Sequence, residues 1–118
     1  MVIKIYHGVY DRDAGECFIT VEQDGFETPL VHRVLHSPTG FQWGYGGSGP
    51  ADTARSILWD YLGHEPDSSL YQAFKFDVVA KFPQGGDWTM SGDDVKTWLE
   101  EHNVVVDESP RHEHKPTV

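Results

Sequence analysis

The sequence predicts an α+β domain, an antiparallel sheet of about four to five strands with two helices packed on one side. Three observations lead to this fold class. Short β-branched runs fill the first 45 residues, apolar residues at helical spacing follow in residues 50–62, and a second helix-start signal lies at Ser91. We assign residues 1–106 to a single domain and residues 107–118, where no apolar position repeats, to a disordered tail.

Four predicted strands precede the first helix. Valine, isoleucine and aromatic residues dominate them, and glycine-containing turns such as Asp24-Gly25 separate them. Strands joined by such turns are expected to pair antiparallel. The four strands cover residues 2–6, 17–21, 30–36 and 41–45.

The first predicted helix covers residues 50–62. Pro50 suits the first helical position because the amide hydrogen it lacks has no partner within a helix there. Asp52 is expected in the first turn, where its charge faces the positive end of the helix dipole. Gly63 supplies a C-terminal stop.

The remaining elements are a fifth strand and a second helix. The apolar, β-rich second half of residues 70–82 favours a strand, entered through one helical turn. Ser91 and Asp94 have the spacing of a capping box, which opens a helix that Asn103 ends. Residues 104–106 are predicted to add a short strand or a docking segment.

Charge and composition exclude several classes of function. Nineteen acidic residues against nine basic ones give a net charge of −10, which disfavours binding to nucleic acid and to anionic membranes. No apolar run is long enough to span a bilayer, and the N-terminal residues lack the features of a signal peptide. A lone cysteine, Cys17, excludes an intramolecular disulfide and fits a reducing cytoplasm.

Acidic residues concentrate in residues 84–108, where seven carboxylates accompany one lysine. We interpret this region as an acidic surface that imitates a nucleic-acid backbone and binds a protein partner with a basic surface. The alternative is a solubilising face without a partner. The candidate binding residues are Asp87, Asp93, Asp94, Glu100 and Glu101.

A glycine-rich segment precedes the first helix and formally fits G-x-G-x-x-G. A dinucleotide site also needs a parallel βαβ unit, and a P-loop needs a Lys-Ser/Thr pair, and neither is present. The glycines are interpreted as a tight turn that needs positive φ at Gly46 or Gly47. The alternative is an anion or small-ligand site at the helix N-terminus, formed by Trp43, Tyr45, Gly46, Gly47, Ser48 and Gly49.

Histidine, cysteine and serine offer little chemistry in this sequence. His32 and His36 on one strand would be about 13 Å apart, which is too far for one metal ion. The carboxylate and the apolar residues beside Cys17 are expected to raise its thiol pKa. Ser48 lacks the G-x-S-x-G spacing of a nucleophile elbow. We therefore predict no catalytic residue, no metal and no cofactor.

The segment W-G-Y-G-G-S-G-P-A-D, residues 43–52, resembles a family of small bacterial and phage domains of unknown function. In that family the motif precedes an A-x-x-I-L helix, which Ala54, Ile57 and Leu58 match here. The resemblance covers most of residues 30–100. It implies a compact stand-alone domain, common on mobile elements, with no assigned activity.

These observations predict a small, acidic, non-enzymatic protein-binding domain in the cytoplasm. Its specific form would be a phage or mobile-element inhibitor that blocks the nucleic-acid channel of a host defence complex, such as a CRISPR effector. The alternative is a small-ligand or anion-binding domain, conceivably an enzyme, that uses residues 46–49.

Overall fold

The computed structural model describes residues 3–36 and 40–106. Four strands form one antiparallel sheet and three helices complete the domain, so the predicted α+β class is confirmed. The elements are β1 (Lys4–Asp11), β2 (Glu16–Gln23), β3 (Phe26–Pro29), α1 (Ser48–Leu62), α2 (Ser68–Asp77), a 3-10 turn (Val79–Lys81), β4 (Trp88–Ser91) and α3 (Gly92–Glu101).

The sheet has the strand order β3-β2-β1-β4 and two different faces. On its inner face, alternate residues such as Tyr6, Ile19 and Met90 are buried. On the outer face, the directly paired Val9 and Phe18 are 46% and 49% exposed. The two-residue period of a strand therefore separates a core face from an open one.

The helices pack against the inner face, with α1 at the centre of the core. Eleven of its 15 residues are buried, which is more than a surface helix would show. Helix α2 packs on α1, and α3 packs on β1, β4 and α1. Lys4 and Tyr6 of β1 both bind the Asp60 carboxylate of α1, at 2.9 and 2.8 Å, which joins helix to sheet.

Two predicted strands, residues 30–36 and 41–45, are wrong. Both segments are irregular, and side chains of α1 bind their backbone in place of a strand ladder. Ser56 accepts the N–H of Arg33 at 2.9 Å, and Thr53 both accepts the N–H and donates to the carbonyl of Gln42. Buried backbone groups need partners, and a neighbouring helix supplies them as well as a strand does.

The predicted strand at residues 70–82 is also wrong, because α2 and the 3-10 turn occupy it. Its buried residues, Tyr71, Phe74 and Lys75, have helical spacing. Phe76 was part of the alternating apolar pattern that favoured a strand, but its side chain is 58% exposed in the structure. Packing on α1 thus overrides the β propensity, and the described residues form three α-helices where two were predicted.

The short strand β4 was not predicted. Its four residues alternate between buried and less buried positions, with Trp88 and Met90 buried. An alternation over only four residues is too short to predict a strand from the sequence. Residues 104–106 form no strand; Val104 and Val106 pack against the core as the docking alternative predicted. The predicted tail, residues 107–118, lies outside the described residues.

Helix ends follow the predicted signals, with one shift. Helix α1 begins at Ser48, so Pro50 lies at its third position and Asp52 lies beyond the first turn. The missing amide hydrogen of proline is harmless there too, since the first four N–H groups lack helical partners. Gly63 ends α1 in a left-handed conformation, as predicted. The capping box of Ser91 is confirmed and opens α3.

Candidate functional site

The structure places four of the five predicted acidic residues on the solvent side of α3. Their side chains are exposed, whereas Val95, Trp98 and Leu99 on the same helix are buried. Amphipathic spacing therefore turns the carboxylates outward as a consequence of core packing. We call this surface the α3 acidic face; it consists of Asp93, Asp94, Glu100 and Glu101.

The α3 acidic face consists of two carboxylate pairs on one side of the helix. Glu100 lies seven positions after Asp93, and Glu101 seven after Asp94, which is nearly two full turns. The two pairs are therefore about 10 Å apart along the helix axis. Lys96 lies between the pairs, three residues after Asp93 and four before Glu100, so the net charge is −3 over about 12 Å. That is about one charge per 4 Å, close to the linear charge density of one DNA strand, about one per 3.4 Å.

The two pairs differ in how they affect the helix itself. Asp93 and Asp94 lie in the first turn, where the helix dipole stabilises negative charge, and Asp94 also accepts the backbone N–H of Ser91. Glu100 and Glu101 lie in the last turn, which contains no basic residue, and there the dipole disfavours negative charge. The helix dipole therefore favours the first pair and opposes the second.

Contacts of Trp98 and His102 with α2 orient α3 and its acidic face. The indole N–H of Trp98 donates to the Asp77 carboxylate at 2.9 Å, and its ring meets Phe74 edge-on at 4.9 Å. His102 stacks on Trp98 at 3.9 Å and places its Nε2 3.4 Å from the same Asp77 carboxylate. The sequence analysis did not identify Asp77 or His102, because residues 70–82 were predicted as a strand and nothing local links them to Trp98.

Asp87 does not belong to the α3 acidic face. It precedes β4, so the length of that strand, about 13 Å for four residues, separates it from the start of α3. Its carboxylate accepts the backbone N–H of Tyr10 at 2.8 Å and lines an open cavity of about 480 Å³ with Asp11 and Asp13. Asp87 therefore extends the β1–β4 pairing and is not placed beside the other four carboxylates.

The glycine segment has its positive φ at a different residue from the one predicted. Gly44 has a φ of +88°, and a Cβ there would lie 2.7 Å from the Cα of Gln84. Gly46 and Gly47 are not among the positive-φ glycines, and Gly47, the N-cap of α1, has a φ of −98°. A Cβ on Gly47 would instead lie 2.6 Å from the ring of Tyr45. The prediction of a positive φ at Gly46 or Gly47 is therefore wrong. The residue of this segment with a positive φ is Gly44.

Two of the proposed ligand residues of this segment, Trp43 and Tyr45, form hydrogen bonds within the protein. Trp43 is buried and donates its indole N–H to the carbonyls of Pro83 and Gly86, at 3.2 and 3.1 Å. Tyr45 is 40% exposed and donates to the side-chain oxygen of Gln42. Two open cavities in the described part of the chain are lined by residues 10–13 and 85–87 and by Glu100 with residues 103–106, away from this segment. A ligand at residues 46–49 stays a prediction.

His32 and His36, predicted on one strand, lie in an irregular segment. His32 places its Nε2 4.0 Å from the buried Asp52 carboxylate, and burial lowers the pKa of His32 while Asp52 opposes that shift. His36 shares a 2.8 Å hydrogen bond with the hydroxyl of Tyr71. Within residues 3–36 and 40–106, no group of three histidine, cysteine or carboxylate side chains could hold a metal ion.

Cys17 and the helices complete the survey of predicted features. Cys17 lies half-buried on the inner face of β2, and burial raises its thiol pKa, the direction that was predicted. The described helices do not combine the length and hydropathy that crossing a bilayer requires.

Comparison with known proteins gives one match. Residues 6–101, from within β1 to the last residue of α3, match the model of a Family of unknown function (DUF6166). No curated protein and no solved structure matches the chain. The predicted relationship to an uncharacterised family of small domains is confirmed.

Proposed function

The chain belongs to the Family of unknown function (DUF6166), and on that premise we propose that it is a non-enzymatic domain that binds a basic protein partner through the α3 acidic face. One observation supports this most: Glu100 and Glu101 carry exposed charge where the helix dipole disfavours it. Partner binding accounts for such a pair, because complementary charge on the partner offsets its unfavourable position.

The proposed recognition depends on spacing as well as on net charge. Two carboxylate pairs about 10 Å apart fit a partner surface with two groups of lysine or arginine at the same separation. Attraction between such surfaces raises the association rate and weakens as salt screens it over about 8 Å at physiological ionic strength. The rigid contacts of Trp98 and Asp77 support this role, because a preorganised surface loses little freedom on binding.

The finer form of this proposal is an inhibitor carried by a phage or mobile element. The α3 acidic face occupies the nucleic-acid channel of a host defence complex, such as a CRISPR effector, and excludes the phosphate backbone by competition. Its charge density, close to that of one DNA strand, and the acidic charge of the whole chain support this form. The inhibitor acts in the cytoplasm, where a free Cys17 stays reduced.

The test compares two double charge reversals with the same net charge. Glu100→Lys/Glu101→Lys alters the α3 acidic face, and Asp13→Lys/Asp67→Lys reverses two exposed carboxylates away from α3 as the matched control. Displacement of a fluorescent DNA duplex from an RNA-guided effector complex measures competition. We expect the first variant to compete at least tenfold more weakly and the control to remain within about twofold of the wild type.

Stability separates binding from folding in this test. The Glu100→Lys/Glu101→Lys variant places positive charge at the negative end of α3, so its melting temperature should stay equal or rise slightly. Equal competition by both variants, or competition that is insensitive to salt, would show that the α3 acidic face is only a solvated surface.

A further inference from the structure

The outer face of the sheet carries an apolar centre that no described element covers. Val9 of β1 and Phe18 of β2 are directly paired there and remain about half exposed. Ile3, just before β1 on the same face, is 64% exposed. Large apolar side chains grouped on one open face are typical of an interaction surface.

Two cross-strand pairs of carboxylates flank this apolar centre. Asp11 is paired with Glu16 at one end of the face, and Glu22 is paired with Glu27 at the other. Like charges directly opposite each other on a sheet are destabilising. Each pair therefore raises the free energy of the folded protein by itself, and a cation bound between its members would relieve that cost.

Positive charge is scarce on this face. Lys4 is the one lysine or arginine within the four strands, and it lies on the inner face, paired with Asp60 at 2.9 Å. His7 approaches Glu22 at 2.9 Å and compensates one carboxylate when it is protonated. Neutral donors also bind two of the carboxylates: the backbone N–H groups of Asp13 and Ala14 bind Asp11, and the Thr20 hydroxyl binds Glu27. The outer face thus combines an apolar centre with ends of net negative charge.

We propose that the outer sheet face docks an amphipathic helix of a partner protein, with apolar side chains in its middle and lysine or arginine near both ends. Glu16 and Glu22 are six residues apart on β2, or about 20 Å. A helix of about 14 residues has the same length, so one helix aligned with the strands reaches both carboxylate pairs. Its apolar side chains cover Val9 and Phe18, and its cations bind at the two ends. This surface is separate from the α3 acidic face, because α3 packs on the inner side of the sheet.

A synthetic peptide of about 16 residues tests this docking, with two lysines at each end and leucines at helical spacing between them. A scrambled peptide of the same composition controls for net charge. Titration calorimetry at physiological salt measures the affinity of both peptides. We expect the amphipathic peptide to bind at least tenfold more tightly than the scrambled one.

Protein variants then locate the site. Val9→Thr/Phe18→Thr removes apolar surface while keeping residues that favour strands, and should weaken binding at least tenfold. Phe76→Thr/Val105→Thr removes the same residue types, 58% and 93% exposed, on α2 and after α3, and should change affinity less than twofold.

Charge variants test the two ends of the face. Glu16→Gln/Glu27→Gln removes one charge from each carboxylate pair. It should weaken peptide binding while raising the melting temperature of the free protein.

Three results would overturn the proposal. One is equal affinity for the wild type and Val9→Thr/Phe18→Thr. Another is a loss of peptide binding in Glu100→Lys/Glu101→Lys, since that places the peptide on α3. The third is a wild-type dimer in analytical ultracentrifugation that Val9→Thr/Phe18→Thr dissociates, because a second copy of the chain would then be the occupant.

Discussion

Replacing Asp52 tests how the irregular segment before α1 is held. The Asp52 side chain is completely buried and accepts the backbone N–H of His36 at 3.0 Å and that of Leu35 at 3.2 Å. Asp52→Ala leaves both N–H groups without this acceptor. Since Leu35 and His36 are exposed residues that water reaches in part, we expect a cost of about 1–2 kcal/mol for each group. The total of about 2–4 kcal/mol corresponds to a melting temperature about 8–16 °C lower.

A graded series makes this prediction specific. Asp52→Asn keeps one acceptor oxygen and should lose about half as much stability. Asp67→Ala, at an exposed position that makes no side-chain cap hydrogen bond, should change stability by less than about 0.5 kcal/mol. Urea unfolding measures the free energies, and hydrogen exchange should show faster exchange of the amides at residues 35 and 36. If Asp52→Ala were as stable as Asp67→Ala, or if those amides kept their protection, the side chain would not hold this segment.

Three other substitutions have measurable outcomes. Gly44→Ala should lower the free energy of unfolding by about 2–4 kcal/mol, because the positive φ of Gly44 and the nearby backbone of Gln84 both oppose a side chain. Gly46→Ala should lower it by less than about 1 kcal/mol. Equal melting temperatures of the two variants would contradict this prediction. Asp94→Ala should cost about 1 kcal/mol through the lost capping box, and thermal unfolding without a shift would count against it. Burial lowers the pKa of His32, so the unfolded chain binds more protons and stability falls as the pH drops below about 6.5. His32→Gln should flatten the change in unfolding free energy between pH 7 and pH 5, and an unchanged slope would assign that dependence to other groups.

The sequence by itself determined the elements whose signals are local. The capping box of Ser91 and the stop at Gly63 depend only on residues within one turn of a helix end, so both are present as predicted. Strands β1 and β2 follow from β-branched residues with a two-residue period, although both extend beyond their predicted ends. The outward direction of Asp93 and Glu100 also follows from local spacing, because the apolar residues of α3 must face the core.

Tertiary packing alone decided the elements whose backbone or side chains depend on distant partners. Residues 30–36 and 41–45 alternate like strands, but the backbone N–H groups of Arg33, His36 and Gln42 donate to the side chains of Ser56, Asp52 and Thr53 in α1, and nothing within either segment indicates that. Helix α2 forms against β propensity because α1 buries its helical face. The carboxylate pairs on the outer face of the sheet could not be predicted from the sequence either, because they also depend on distant partners. Pairing of Asp11 with Glu16, and of Glu22 with Glu27, requires the register of three strands, and a register arises only when the strands meet.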